Sequence, residues 1–323
     1  MATVIAVLAA LAAAMCFAVG SIMQQGEARA SAAGTLRIRL LLDLLRQPRW
    51  VAGVALDLFS FAIQGLALAF GPLALVQPIA ATDVLFALPL IARKYRRRLT
   101  RQDLIGAGMV AAGMAVFLVV SPPTGGVGVP RLVTWTPVLF AVAALVAVSA
   151  AAALHVRGRA RVVWLAAAAG ITYGLLDALT KSTVDLLLSR GLVGTVLTWE
   201  PYALIAAALV GALFGQSAFG AGALSLSLPV IDTLEPVAAV VIAATVFGEQ
   251  LASSPVLLGF QLAGGALAAT GIAVLSRSSI VAAETTGPPG PPAGPPADGP
   301  LASMVDTVVG AEPGRRRMRR NGV

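Results

Sequence analysis

Long apolar segments separated by short polar stretches dominate the pattern of this chain. Each segment is close to the ~20 residues that a helix needs to cross the hydrocarbon core of a bilayer. The segments cover about residues 2–23, 50–70, 72–92, 103–120, 136–154, 162–182, 202–222, 223–248 and 255–275. The pattern predicts an all-α fold, a polytopic membrane helical bundle.

The composition excludes a water-soluble globular domain. Hydrophobic residues make up 58% of the chain and charged residues 12%, and the mean hydropathy is +0.88, whereas soluble domains carry about 25% charged residues. Cys16 is the only cysteine, which excludes a disulfide framework and a cysteine metal site.

The number of helices is open between two counts. Hydropathy favours nine spans, with the N-terminus outside and the C-terminus inside. Pro229 and Pro236 favour more, because proline removes a backbone donor and breaks helices. They would divide 202–248 into three shorter helices, and Pro72 and Pro78 would divide the matching earlier segment. We expect about ten transmembrane helices (9–11), given the length that a bilayer requires.

Basic residues gather in the connections, which indicates membrane topology rather than nucleic-acid binding. Nine spans would put all four sets, at 29–49, 93–101, 157–161 and 315–320, on one side, and positive loops mark the cytoplasmic face. We therefore expect the C-terminal tail in the cytoplasm and no nucleic-acid partner. The Arg-rich, Lys-poor composition suggests a bacterial genome rich in G and C, and hence a multi-pass protein of the inner membrane.

The chain also repeats itself. Gly53 to Gly113 realigns onto Gly211 to Gly271 with one constant shift and no gap. Internal repeats are usual in secondary transporters, with the substrate site at the repeat interface. We expect an N-terminal transmembrane repeat at 1–120, a connecting loop with an extra apolar helix at 121–161, a C-terminal transmembrane repeat at 162–276, and a disordered Pro/Gly-rich tail with a basic end at 277–323.

Motifs in the second repeat suggest a family. It contains Trp199-Glu200-Pro201, Leu234-Glu235-Pro236 and Phe247-Gly248-Glu249. This pattern resembles the EamA-like part of the drug/metabolite transporter superfamily and, because of the extra segment 136–154, its branch related to NIPA-type magnesium transporters. The resemblance implies a two-repeat helical fold and transport of a small solute or a cation. The first repeat departs from the pattern, with Gln77 at the position that matches Glu235.

Polar residues in the first repeat are the first candidates for a transport site. A charged residue deep in a span costs at least ~2.5–3.5 kcal/mol on insertion scales, so each one needs a reason. Asp57 and Gln64 lie on one helix face. Gln77 and Asp83 lie beside Pro78, where a broken helix frees carbonyls that could bind a cation or a substrate donor.

Two carboxylates precede a proline in the second repeat. Asp232 and Glu235 are three residues apart on one face, directly before Pro236, and such a pair could exchange a proton or hold a cation. Alternatively, Glu235 caps a helix that begins at Pro236. In a cation carrier the metal ligands would be Asp232, Glu235 and Asp83.

A polar stripe follows one helix face in segment 162–182. Tyr173, Asp177, Lys181 and Asp185 recur every four residues. Lys181 either faces the cavity or extends into the lipid headgroups.

Other polar and aromatic residues are weaker signals. Gln216, like Gln24 and Gln25, contacts either substrate or a neighbouring helix. Glu249 is expected to be solvated at a helix end. An aromatic belt is expected to contain the four tryptophans near segment ends, Trp50, Trp135, Trp164 and Trp199.

These observations favour a secondary membrane transporter that moves a small solute or cation through a midplane cavity between two repeats. The chain has no Walker loop, no paired His or Cys set and no G-x-S-x-G elbow, so we expect neither an enzyme nor a cofactor. A divalent-cation transporter of the NIPA type and a non-transporting membrane scaffold or regulatory protein stay as alternatives. The expected partners are the lipid bilayer and a small-molecule or cation substrate, with a homodimer left open.

The candidate residues of the substrate or ion path are Asp57, Gln64, Gln77, Asp83, Tyr173, Asp177, Lys181, Gln216, Asp232 and Glu235.

Overall fold

The protein is a bundle of helices. The computed structural model describes residues 2–31, 36–70, 76, 79–80, 82–120, 130–249 and 254–286. Within these ranges the regular backbone is helical and contains no strand. Eight of the helices are long and apolar enough to cross a bilayer. The prediction of an all-α membrane bundle is confirmed at this level.

The helices follow one another in a simple order. They are α1 (Ala2–Ala30), α2 (Ile38–Leu44), α3 (Pro48–Phe70), α4 (Asp83–Lys94), α5 (Arg101–Val119), α6 (Leu132–His155), α7 (Arg159–Val196), α8 (Glu200–Ala221), α9 (Leu224–Ile242), α10 (Pro255–Leu275) and α11 (Ser279–Thr286). α9 continues into one π turn, Ala243–Phe247, and Gly248 with φ of +70° ends it. The eight candidate spans are α1, α3, α5, α6, α7, α8, α10 and α9 with its π turn.

The division of segment 202–248 into three helices is wrong. The segment forms two helices, α8 and α9, and Pro229 and Pro236 lie inside α9. Proline is tolerated inside a membrane helix where neighbouring helices and side chains satisfy the freed backbone groups, and α9 is packed against α7, α4 and α10. α4 is the main described part of the expected segment 72–92, and Gln77 lies outside the described residues.

Local sequence signals set several helix ends. Thr100 and Asp103 form a capping box at the start of α5, in which each side chain accepts a hydrogen bond from the other residue's backbone N–H. Ser254 accepts from the backbone N–H of Leu257, and Pro255 occupies the first turn of α10. Gly191, with φ of +69°, interrupts α7 near its end.

Glycines bring α5 and α10 into direct backbone contact. A Cβ atom on Gly113 would lie 2.6 Å from the carbonyl oxygen of Gly264, and one on Gly271 would lie 2.7 Å from that of Gly106. The earlier glycine of each helix thus meets the later glycine of the other, so the two helices cross in opposite directions. The other extensive contacts join α1 to α3, and α7 to α6, α8 and α9.

The described basic clusters lie at one end of the bundle, which we call the basic end. α1, α4, α6, α8 and α10 end there, and α3, α5, α7 and α9 begin there. Contacts establish this arrangement: Gly220 approaches the Ala28 carbonyl, Gly222 approaches Val162, and the Gln102 amide donates to the carbonyl of Val274. The described basic residues outside this end are Arg131, Lys181 and Arg190.

The first part of the expected tail is a packed helix. α11 lies within 277–323, where the sequence predicted disorder. Its Val281 side chain is buried against Val162 of α7 and against Ala223 and Leu226. Burial of these apolar side chains provides the driving force for folding that a Pro/Gly-rich tail lacks. Residues 287–323 lie outside the described residues.

Candidate functional site

Carboxyl groups from both halves of the chain come together in the middle of the bundle. We call them the carboxyl cluster: Asp57 of α3, Asp83 of α4, Asp177 of α7, and Asp232 and Glu235 of α9. The carboxyl groups of Asp83 and Asp232 lie within hydrogen-bonding reach of each other. Asp57 lies within electrostatic range of Asp83, and Glu235 within range of Asp177 and Asp83.

Among the described residues, the charged groups that act on Asp57, Asp232 and Glu235 are other carboxyl groups of the cluster. Two unit negative charges 4 Å apart repel by about 4 kcal/mol at an effective dielectric constant of 20. The cluster therefore gains free energy when it binds protons or a cation. This is the chemistry that the arrangement offers.

Asp83 is the most buried member of the cluster, with 4% of its surface exposed. It is the first residue of α4, and its Oδ1 accepts a hydrogen bond of 2.7 Å from the backbone N–H of Val84. A helix N-terminus favours negative charge. The helix start therefore holds this carboxylate against Asp232.

α9 is held unusually close to α7 at the level of the cluster. A Cβ atom on Gly170 would lie 2.9 Å from the Ile231 carbonyl oxygen, and one on Gly174 would lie 2.6 Å from that of Glu235. Pro236 has no N–H, so the Asp232 carbonyl lacks its usual helical donor. Because α9 begins at Leu224, the alternative in which Glu235 caps a helix starting at Pro236 is wrong.

Tyr173 lies between the cluster and α8. A Cβ atom on Gly211 would lie 2.6 Å from its Cε1, and one on Gly215 would lie 3.0 Å from its hydroxyl oxygen. Its hydroxyl is within electrostatic range of Glu235 and Asp57. The two glycines thus leave room for an aromatic ring from α7.

A chain of hydrogen bonds leads from α3 through α8 and α1 to Asp57. The Trp50 indole N–H donates to Gln216 Oε1 (3.0 Å), the Gln216 amide donates to Gln24 Oε1 (2.7 Å), and the Gln24 amide donates to Asp57 Oδ2 (2.5 Å). Of the two alternatives for Gln216, the structure therefore shows a contact with neighbouring helices. Trp50 is 8% exposed, so it is not a lipid-facing belt residue.

Lys181 does not join the carboxyl cluster. Its ammonium forms an ion pair with Glu249 and lies 4.5 Å from the ring centroid of Phe247. Phe247 in turn packs edge-on against the fully buried Trp135. The expectation that Glu249 is solvated is wrong, because Lys181 pairs with it, and Trp135 belongs to a core cluster rather than to an aromatic belt.

Two other candidates stand apart. Gln64 lies on α3 beyond Asp57, is half-buried, and makes no hydrogen bond to the described residues. Gln77 lies outside the described residues. In the described ranges no three His, Cys, Asp or Glu side chains are arranged to hold a metal ion. The divalent-cation site at Asp83, Asp232 and Glu235 is therefore a prediction that this arrangement does not support.

Glu284 of α11 is a buried carboxylate that the sequence reasoning missed. It is fully buried, and it accepts hydrogen bonds from the Gln25 amide (3.1 Å), the backbone N–H groups of Leu224 (3.1 Å) and Ser225 (3.0 Å), and the Ser225 hydroxyl. Arg29 donates to its backbone carbonyl. Glu284 thus caps α9 at the basic end. The apolar pair Ile280-Val281, one turn before the glutamate, is the signal that could have revealed it.

Comparison with known proteins identifies a relative of this chain. No family model and no solved structure matches the chain. An uncharacterized protein of Corynebacterium glutamicum is 34% identical over 272 residues, which cover 84% of this chain and 91% of the relative. The chain belongs to the family of that protein. The alignment covers most of the length of both family members.

Proposed function

We propose that this family member is a secondary transporter that moves a small solute or a cation through the carboxyl cluster. The observation that carries the proposal is the convergence of Asp57 and Asp83 with Asp177, Asp232 and Glu235 between α3, α4, α7 and α9. A scaffold has no need of carboxylates that face one another between membrane helices, since each costs free energy in a membrane. A transporter uses them to bind and release charge.

We further propose that the halves are internal repeats of the EamA-like type in the drug/metabolite transporter superfamily. The glycine contacts support this proposal. The repeat shift relates Gly106 to Gly264 and Gly113 to Gly271, and the observed contacts join Gly106 with Gly271 and Gly113 with Gly264. A pseudo-two-fold axis between α5 and α10 would produce this pairing, and transporter sites lie at such interfaces.

The proposed orientation follows from the basic end. Positively charged connections face the cytoplasm, and the described clusters at 29–49, 93–101 and 157–161 share one end of the bundle. We therefore place the basic end, and the C-terminal tail after α11, in the cytoplasm of a bacterial cell with the protein in its inner membrane.

The first test is ligand-dependent thermal unfolding of the detergent-purified protein. A ligand that binds only the folded state stabilises it by about 2.7 kcal/mol at 100 times its Kd. The panel contains divalent cations, amino acids and small amines. We expect at least one of these ligands to raise Tm in the wild type and to lose its effect in Asp232→Asn combined with Glu235→Gln. A shift with Mg²⁺ would support the divalent-cation alternative, and a shift with an organic solute would support a metabolite carrier.

The second test measures flux in proteoliposomes that contain a pH-sensitive dye and a gradient of each ligand of the panel in turn. We expect ligand movement in the wild type and none in the double variant. Asp185→Asn is the matched control, because Asp185 lies on the same stripe of α7 but outside the cluster. Absence of both a thermal shift and a flux across the whole panel would refute transport and favour the scaffold.

A further inference from the structure

We propose that Trp50 and Gln216 are positioning residues that orient Asp57 through Gln24, so that a proton binds Asp57 at Oδ1. The inference rests on the proposed function, because it states which atom of the transport site is available. It assigns a role to residues that line no part of the carboxyl cluster themselves.

The indole N–H of Trp50 fixes which group donates and which accepts in every hydrogen bond that leads to Asp57. An indole N–H can only donate, so Gln216 presents its oxygen to Trp50. Its amide nitrogen is then left to donate to Gln24 Oε1. The amide nitrogen of Gln24 is left in turn for Asp57 Oδ2. Neither glutamine can turn over without placing two donors or two acceptors against each other.

The side chains that form this chain of hydrogen bonds are buried. Trp50, Gln216 and Gln24 are 8%, 4% and 5% exposed. Water is therefore poorly placed to replace a lost partner, and an unsatisfied polar group in such surroundings is costly. The order of donors and acceptors that Trp50 imposes therefore extends through both glutamines to Asp57.

The second oxygen of Asp57 has no donor. Oδ1 is buried and lacks a hydrogen-bond partner among the described residues. It packs on Gly20, where a Cβ atom would lie 2.1 Å from it. The titratable groups that face Asp57 are Asp83 of α4, Tyr173 of α7 and Asp232 of α9. Oδ1 is therefore the oxygen that remains to bind a proton, for which the space beside Gly20 is sufficient.

A double-mutant cycle tests the donor–acceptor order of these hydrogen bonds. Gln216→Glu still accepts from Trp50 but cannot donate to Gln24. Gln24 must then donate to the new carboxylate and turn its oxygen towards Asp57, where two acceptors oppose each other. Asp57→Asn provides a donor for that oxygen and restores the wild-type net charge. We expect Gln216→Glu to lower Tm by several degrees and the double variant to recover most of the loss.

The control replaces a different member of the carboxyl cluster. Gln216→Glu with Asp177→Asn has the same net charge, but Asp177 is not bonded to Gln24. We expect no comparable recovery of Tm. Equal recovery in both double variants, or additive effects of Gln216→Glu and Asp57→Asn, would overturn the proposal. If Gln216→Glu alone does not fold, recovery of folded protein by Asp57→Asn and not by Asp177→Asn is the same result.

A second measurement needs no change of charge. Trp50→Phe keeps an aromatic ring and removes the donor. In the proteoliposome assay we expect it to shift the pH midpoint of transport, while Trp164→Phe, at a partly exposed tryptophan (39%), leaves the midpoint unchanged. An unchanged midpoint in Trp50→Phe would refute the positioning role. The thermal cycle remains informative if no flux is found, so failure of the proposed function and failure of this inference are distinguishable.

Discussion

Replacement of Glu284 by alanine should destabilise the fold strongly, although the residue lies in a segment that looks like a tail. The change removes a carboxylate that accepts from Gln25, from two backbone N–H groups at the start of α9, and from the Ser225 hydroxyl. Hydrogen bonds to charged groups contribute about 1.5–3 kcal/mol each, and loss of a helix cap costs about 0.5–2 kcal/mol. These terms are not additive, because the Ser225 hydroxyl can turn to another acceptor.

We therefore expect a loss of about 3–5 kcal/mol, the range observed when one partner of a buried charged contact is removed. At about 2–4 °C per kcal/mol for a domain of 150–250 residues, Tm should fall by about 6–20 °C. The assay is thermal unfolding in detergent, followed by light scattering and intrinsic fluorescence. Glu284→Gln keeps one acceptor oxygen and should fall between the wild type and Glu284→Ala.

Thr285→Ala is the control, because the side chain is exposed and its hydroxyl bonds only within α11. The two variants remove groups from adjacent positions of the same helix. If Glu284→Ala melts within about 2 °C of Thr285→Ala, which is less than 1 kcal/mol on this scale, the capping role of Glu284 is refuted.

Three further predictions use the same unfolding assay. Gly174→Ala should lower Tm markedly, because the new methyl group would lie 2.6 Å from the Glu235 carbonyl oxygen and would push α7 away from α9. The control Gly65→Ala places its methyl group in open space and should leave Tm unchanged or higher. Trp135→Phe should cost less than the ~3–5 kcal/mol of truncating a buried aromatic side chain to alanine, because it keeps one ring and removes a buried N–H that has no partner in the described residues. A loss in that range would show that this N–H is satisfied. A chain ended after Thr286 should keep the wild-type Tm, since the sequence beyond it is rich in proline and glycine, and a lower Tm would reveal a structural role for those residues.

Helix faces could be predicted from the sequence, but contacts between distant helices could not. Asp232 and Glu235 share a face because helical spacing requires it, and the same holds for Tyr173 and Asp177. That these side chains meet Asp83 depends on the packing of α4 against α9, for which no local pattern exists. Lys181 illustrates the limit, because its partner Glu249 follows a π turn that the sequence does not signal.

Local rules failed where tertiary packing opposed them. Pro229 and Pro236 favour a break when the segment is considered alone, yet neighbouring helices keep α9 continuous through both prolines. Glu284 was missed for a related reason. Its helix is too short to be recognised beside a Pro/Gly-rich stretch, and it is stabilised by contacts with α1, α7 and α9 rather than by its own residues.

α9 is tied to other elements at both of its ends. At the basic end Glu284 of α11 binds its first turn, and at the opposite end Glu249 binds Lys181 of α7. Its two prolines lie between these attachments and leave backbone carbonyls without helical donors. Gly170 and Gly174 also hold the middle of α9 against α7. Bending at the prolines would therefore carry Asp232 and Glu235 together with Asp177 of α7, so that these three carboxyl groups move as one unit relative to Asp57 and Asp83.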